Sequence, residues 1–131
     1  MARKKLVLCD TNILIHILRG RADIKVRLDE IGFQNICISV ITKAELLHGA
    51  KNKLDSVHLN KWLSEFVIYG LNEEVSNIFH GLVLNYSLSH KISIPDSLIA
   101  ATSIAYGIPL YTENMKDFRF VPEMTFHRPR V

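Results

Sequence analysis

An α/β fold, three layers deep with a mostly parallel central sheet, is predicted by this sequence on three observations. Short apolar runs of strand length alternate with longer segments of helical periodicity, the pattern of βαβ units whose helices cover both faces of a sheet. The 131 residues, 48% of them hydrophobic, are enough for one core, which sets a single domain over residues 1–131. Acidic residues follow the strand runs or lie on the helices after them, and ligands of open α/β sheets bind beyond the carboxyl ends of the strands.

The elements follow in order. Residues 6–9, Leu-Val-Leu-Cys, read as a buried strand, residues 12–18 as a helix, and residues 23–31 as a second helix closed by Gly32. Residues 36–39 form the next strand and 42–50 a short helix. A helix with a polar start covers 55–65, ahead of a third strand at 67–69, and the longest helix covers 73–88. Pro95 and Asp96 open another, because proline suits the first helical turn and an acid there faces the positive end of the helix dipole. It runs to Tyr106 and stops at Gly107. Residues 110–112 read as a strand, and 125–127 as a last short one. No repeat, low-complexity tract or linker interrupts the series.

Composition narrows the classes. No apolar run approaches the ~18 residues of a membrane span. The basic opening of residues 1–5 leads only into the short run 6–9 before Asp10, too brief for a secretory signal, so a cytoplasmic protein without membrane association is expected. Cys9 and Cys37 lie in strand runs without close pairing and read as buried free thiols. Lys and Arg number 16 against 13 Asp and Glu, a modest excess; acids gathered in one cleft leave the remaining surface more basic, as a polyanionic partner requires. The histidines show no metal-binding spacing such as H-E-x-x-H. Trp62, Phe66, Tyr69 and Phe79 read as core or subunit contacts.

Taken singly, the acids are ambiguous. Asp10 before Thr11 and Asn12 fits an Asx turn or helix cap, and Glu45 fits a surface residue near Lys43 or paired with His48. Asp96 stands three residues after Ser93, as in a capped helix start. Gathered around one sheet edge, however, these carboxylates repel each other and call for a cation, and an all-oxygen site suits Mg²⁺ or Mn²⁺.

Four segments carry a family resemblance. The run Leu6-Val7-Leu8-Cys9-Asp10-Thr11-Asn12 is similar to the opening strand and first acid of the PIN-domain nucleases, and within them of the VapC-type toxin ribonucleases. The segment from Ser39 through Glu45 to Ala50 resembles their second signature, Pro95-Asp96-Ser97-Leu98-Ile99-Ala100-Ala101 the third, and the stretch from Leu110 to Phe118 the fourth. The resemblance covers nearly the whole chain, in order and at the family's spacings. It implies a PIN-like fold and a Mg²⁺- or Mn²⁺-dependent endoribonuclease, with Asp10, Glu45 and Asp96 as catalytic metal ligands. The fourth position falls to Asp117 or Asn114, of which Asp117, a full carboxylate, ranks first. Asn12 and Thr112 match supporting polar positions, whereas Glu113 reads as facing solvent.

The same resemblance implies an RNA substrate cut to 5′-phosphate and 3′-hydroxyl ends, a cognate antitoxin, and a homodimer. Basic residues such as Arg19, Arg21, Lys43, Lys51, Lys53 and Lys116 stand near the ends of the motif-bearing elements, where a nucleic acid backbone would pass. The alternatives are a non-catalytic RNA-binding protein of the same fold, a housekeeping nuclease without an antitoxin, and a haloacid-dehalogenase-like phosphatase. The last wants a second aspartate two residues after the first, where Asn12 stands.

Overall fold

The architecture was read from a computed structural model that describes residues 5–129. Most of the basic opening therefore lies outside the described residues. Four strands, β1 (Val7–Cys9), β2 (Ile36–Ser39), β3 (Val67–Tyr69) and β4 (Leu110–Tyr111), pair in the order β3-β2-β1-β4. Every pairing is parallel, with Val7 opposite Ile36, Leu8 opposite Leu110 and Ile38 opposite Ile68.

The two-residue alternation of side chains along a strand divides the core into two halves. Val7, Cys9, Ile36, Ile38 and Tyr111 face one side, where they pack with Ile13, Leu14, Ile24, Leu46, Leu63 and Phe66. Leu8, Cys37 and Leu110 face the other, against Val75, Leu82, Ile99, Ala100, Ala101, Phe118 and Val121. Helices α1 (Thr11–Leu18), α2 (Ala22–Ile31), α3 (Val40–His48) and α4 (Lys53–Leu63) thus supply the first layer, and α5 (Glu73–His90) and α6 (Ile94–Tyr106) the second. This is the expected three-layer α/β/α arrangement. The central strands are apolar on both faces because both faces are covered. Cys9 and Cys37 are buried free thiols, as their setting in apolar strands requires.

Short polar residues start most of the helices. The side chains of Asp10, Ser39, Asn52, Asn72 and Ser93 each accept an N–H from the first turn of α1, α3, α4, α5 and α6. Ser39 is both the last residue of β2 and the cap of α3, so strand passes into helix with no loop between. That economy holds the first turns of α1 and α3 at the carboxyl edge of the sheet.

The structure departs from the sequence reading at several boundaries. Helix α3 begins at Val40 rather than at residue 42, because the Ser39 hydroxyl accepts from the Ile41 N–H. Helix α4 begins at Lys53 rather than at 55, because Asn52 captures the Asp55 N–H. Helix α5 continues two residues past 88, to His90, and ends where Lys91 turns left-handed at φ 52°. The glycine stops stand: Gly32 and Gly107 adopt φ 90° and 65°, which side-chain-bearing residues disfavour. The proposed strand at 125–127 reduces to one bridge, Phe126 against Leu110.

Candidate active site

Asp10 prolongs the β1–β4 pairing by one step, its N–H donating to the Tyr111 carbonyl at 3.0 Å. Its side chain is buried, 5% exposed, and receives two hydrogen bonds of 2.8 Å: one from the Thr11 N–H to Oδ1, one from the Thr112 hydroxyl to Oδ2. Asp10 is therefore a helix cap and a fixed, inward-facing carboxylate at once. Thr112 also accepts the Asn114 N–H at 2.9 Å, so its single proton is committed to Asp10.

The other acids come from three further elements. Glu45 is exposed on α3, and its Oε1 accepts from the Thr11 hydroxyl at 2.8 Å. Asp96 is half-buried in the first turn of α6, where its N–H donates to the Ser93 hydroxyl at 3.1 Å. Asp117 ends a single 3₁₀ turn, Met115–Asp117, and its N–H donates to the Asn114 carbonyl. Asn114 itself is exposed.

Electrostatics link these four. Burial pushes the Asp10 carboxyl above the usual carboxylate range; hydrogen bonds from Thr112 and Thr11 oppose the rise, and the charges of Glu45 and Asp117 add to it. Asp96 is pushed up to about 6, first by burial and then by the charge of Asp10, with Asp117 and Glu45 contributing and the Ser93 hydroxyl opposing. Among the described residues, none of the four forms an ion pair with a Lys, Arg or His side chain.

Two features bear on a divalent cation. The donor set is carboxylate oxygen without a countercharge, the chemistry hard cations take. In addition, Asn12 Oδ1 is buried with no hydrogen-bond partner, an orphaned acceptor two residues beyond Asp10. The residue types therefore fit Mg²⁺ or Mn²⁺, although among the described residues no three Asp, Glu, His or Cys side chains stand in a ready-made metal-holding arrangement.

Sequence reasoning passed over Thr11 and Thr42. The Thr42 hydroxyl, on a residue with no exposed surface, lies 2.9 Å from that of Thr11, which in turn holds Glu45. Glu113 is exposed, as expected, and it also accepts from Arg21 Nη1 at 2.7 Å and lies 3.1 Å from His16 Nε2, tying the segment after β4 to α1 and to the turn before α2. Beside Glu45 a cavity of ≈ 600 Å³ opens, lined also by Leu18, Arg19, Leu46 and Lys51.

The family model for the PIN domain matches residues 7–123. The chain belongs to the PIN-domain family. Ribonuclease VapC19 of Mycobacterium tuberculosis is 32% identical over 120 residues, 89% of this chain and 95% of that protein. A toxin–antitoxin complex from Klebsiella pneumoniae contains a chain 31% identical, with a TM-score of 0.77 over 95% of this chain and 99% of its own. VapBC2 from Rickettsia felis, solved bound to a DNA fragment from its promoter, matches at 27% identity and a TM-score of 0.78, covering 93% and 97%. The PIN-like fold expected from the four motifs stands, and the phosphatase alternative falls with it.

Proposed function

We propose that this PIN-domain protein is a metal-dependent endoribonuclease and the toxin of a VapBC-type toxin–antitoxin pair. The observation that carries the proposal is the mutual field of Asp10, Glu45, Asp96 and Asp117 at one edge of the sheet, without a cationic side chain to neutralise it. Kinship with VapC ribonucleases and with toxin–antitoxin complexes supports it.

In this reading Asp10, Asp96 and Glu45 hold Mg²⁺ or Mn²⁺, with Asp117 ahead of Asn114 as the fourth contributor. Asp117 is favoured because its charge acts on both Asp10 and Asp96, whereas Asn114 is exposed and engages its neighbours through its backbone. When bound, the cation supplies Lewis-acid activation of water and neutralises charge on the phosphate. Asp10, locked by two hydrogen bonds, fixes the position of the site, and the carboxylates together accept the proton released by the attacking water. Water attacks phosphorus, the bond from phosphorus to O3′ breaks, the departing 3′-oxygen takes up a proton from solvent, and the products carry a 5′-phosphate and a 3′-hydroxyl. The Thr112 hydroxyl favours the ionised form of Asp10 against the rise that burial imposes. Asn12, two residues further along the chain, offers an unpaired buried acceptor.

The partners in this reading are RNA, a cognate antitoxin that covers the acidic cleft with an arginine-bearing segment, and a second copy of the chain in a homodimer. No helix among the described residues is long and apolar enough to cross a membrane, which is consistent with action on cytoplasmic RNA. The test is cleavage of RNA by the purified chain. Activity with Mg²⁺ or Mn²⁺ that disappears in excess EDTA and in folded Asp10→Asn and Asp96→Asn variants is expected; full activity in EDTA, or in folded Asp10→Asn, overturns the metal-nuclease reading. Growth arrest on expression, relieved by the neighbouring gene, tests the toxin assignment separately.

A further inference from the structure

Of the four acids Glu45 alone is exposed, and a glutamate has more rotatable bonds to immobilise than an aspartate. Something must aim it. Thr42 lies three residues earlier on the same face of α3, fully buried, and Thr11 is the first residue of α1. Their hydroxyl oxygens are 2.9 Å apart, and the Thr11 hydroxyl is 2.8 Å from Glu45 Oε1.

Proton counting fixes the direction. A carboxylate only accepts, so the single hydroxyl proton of Thr11 goes to Glu45, and the Thr42 hydroxyl must then donate to Thr11. The result is a directed chain from Thr42 through Thr11 to Glu45, in which each bond polarises the next. Thr11 reaches further still, because its N–H holds Asp10 Oδ1. One residue thus sets two acids relative to each other, and the buried Thr42 anchors it.

We propose that Thr42 and Thr11 are positioning residues that orient Glu45, by a hydrogen-bond chain anchored in the core, for its part in holding the divalent cation. The proposal rests on the reading of Glu45 as a metal-site acid. Thr42 touches neither cation nor RNA; it acts through Thr11. Outer partners of metal-binding carboxylates characteristically change metal affinity or activity by roughly tenfold to a hundredfold when removed.

Thr42→Val keeps shape and volume and deletes the donor, Thr42→Ser restores it, and Thr11→Val removes the bond to Glu45 directly should Thr42→Val fail to fold. Calorimetric titration with Mn²⁺ is expected to show binding about tenfold weaker in Thr42→Val and Thr11→Val, with Thr42→Ser near the wild type. Cleavage should slow by a similar factor at fixed Mg²⁺ while RNA affinity holds. In a Glu45→Ala background Thr42→Val should add no further loss. Unaltered Mn²⁺ affinity in both folded valine variants, or an equal loss from Thr42→Val in the Glu45→Ala background, overturns the proposal. NMR couplings of the Glu45 side chain need neither metal nor RNA: one fixed rotamer in the wild type and averaging in Thr42→Val are expected, and the same averaging in both overturns it. A wild type that neither binds Mn²⁺ nor cleaves RNA instead overturns the nuclease reading, and the couplings then decide on the chain alone.

Discussion

The hydroxyl of Thr112 donates a 2.8 Å hydrogen bond to Oδ2 of Asp10, across a separation of 102 residues. It joins the residue just past β4 to the residue just past β1, on two adjacent parallel strands. The bond counters the rise that burial imposes on the Asp10 carboxyl and so favours the ionised form.

Thr112→Val removes that donor and leaves a buried carboxylate oxygen unsatisfied. Hydrogen bonds to charged groups contribute about 1.5–3 kcal/mol, so urea denaturation at pH 7 should show a loss of that order. The deficit should shrink as pH falls, because Asp10 can then take up a proton. RNA cleavage should drop by roughly tenfold to a hundredfold, as for other outer partners of metal-site carboxylates. Wild-type stability and rate in Thr112→Val would remove Thr112 from the site.

Asp10→Asn separates function from stability. Asparagine keeps the shape and can still cap α1, yet it carries no charge into a buried position beside Glu45 and Asp117. The metal-free variant should therefore equal or exceed the wild type in denaturation midpoint, while cleavage falls by about a hundredfold or more. A clear loss of stability would mean that the ionised carboxylate holds the fold together rather than straining it.

Asp96 fixes the sign of a pH dependence. Its folded pKa lies at about 6, above the usual carboxylate value near ~4, so between those limits the folded chain keeps a proton that the unfolded chain has released. The Asp96 contribution to the stability of the metal-free protein is therefore fully present below that window and is lost as pH rises through about 6, opposite in sign to the carboxylates that drive ordinary acid denaturation. Asp10, also raised, acts in the same direction. Because Asp96 is only half-buried, solvent screening reduces the Asp96 effect to about 1 kcal/mol. Denaturation in EDTA at pH 5 and pH 7.5 should show the difference, and Asp96→Asn should flatten it. Metal-dependent cleavage should run the other way, rising with pH as the carboxylates ionise.

The sheet was legible in the sequence because its strands are apolar on both faces and stand out as short hydrophobic runs between helical patterns. Asp10 and Asp96 were legible as positions because each stands at a helix start with a recognisable capping pattern. Helix starts at Val40 and Lys53 were misplaced by two residues because the deciding caps, Ser39 and Asn52, sit in a strand end and a polar loop where many residues could serve. Thr11 and Thr42 were missed for a different reason. A threonine within helical periodicity gives no sign of its hydroxyl's partner, and theirs lies 31 residues away. The clamp from Arg21 to Glu113, 92 residues apart, was equally hidden. Asp117 ranks ahead of Asn114 in the sequence as the only full carboxylate of the two, and its charge acts on both Asp10 and Asp96.

Arg19 and Lys51 form no ion pair among the described residues, and both line the cavity of ≈ 600 Å³ that adjoins Glu45. Asp55, also in its wall, is engaged by the Lys51 backbone N–H at 3.0 Å. Two unpaired cations beside a carboxylate site suit the phosphates that flank a cleavage point, and each neutralised phosphate on a single strand releases a fixed share of counterion. Binding of a non-cleavable RNA should therefore weaken linearly on a plot of log affinity against log salt, by about 0.7 in slope per contact. Arg19→Ala and Lys51→Ala should each lower the slope by about that amount, with little effect on the fold because both side chains are exposed. Slopes unchanged in both variants would place the RNA backbone on another face of the carboxyl edge.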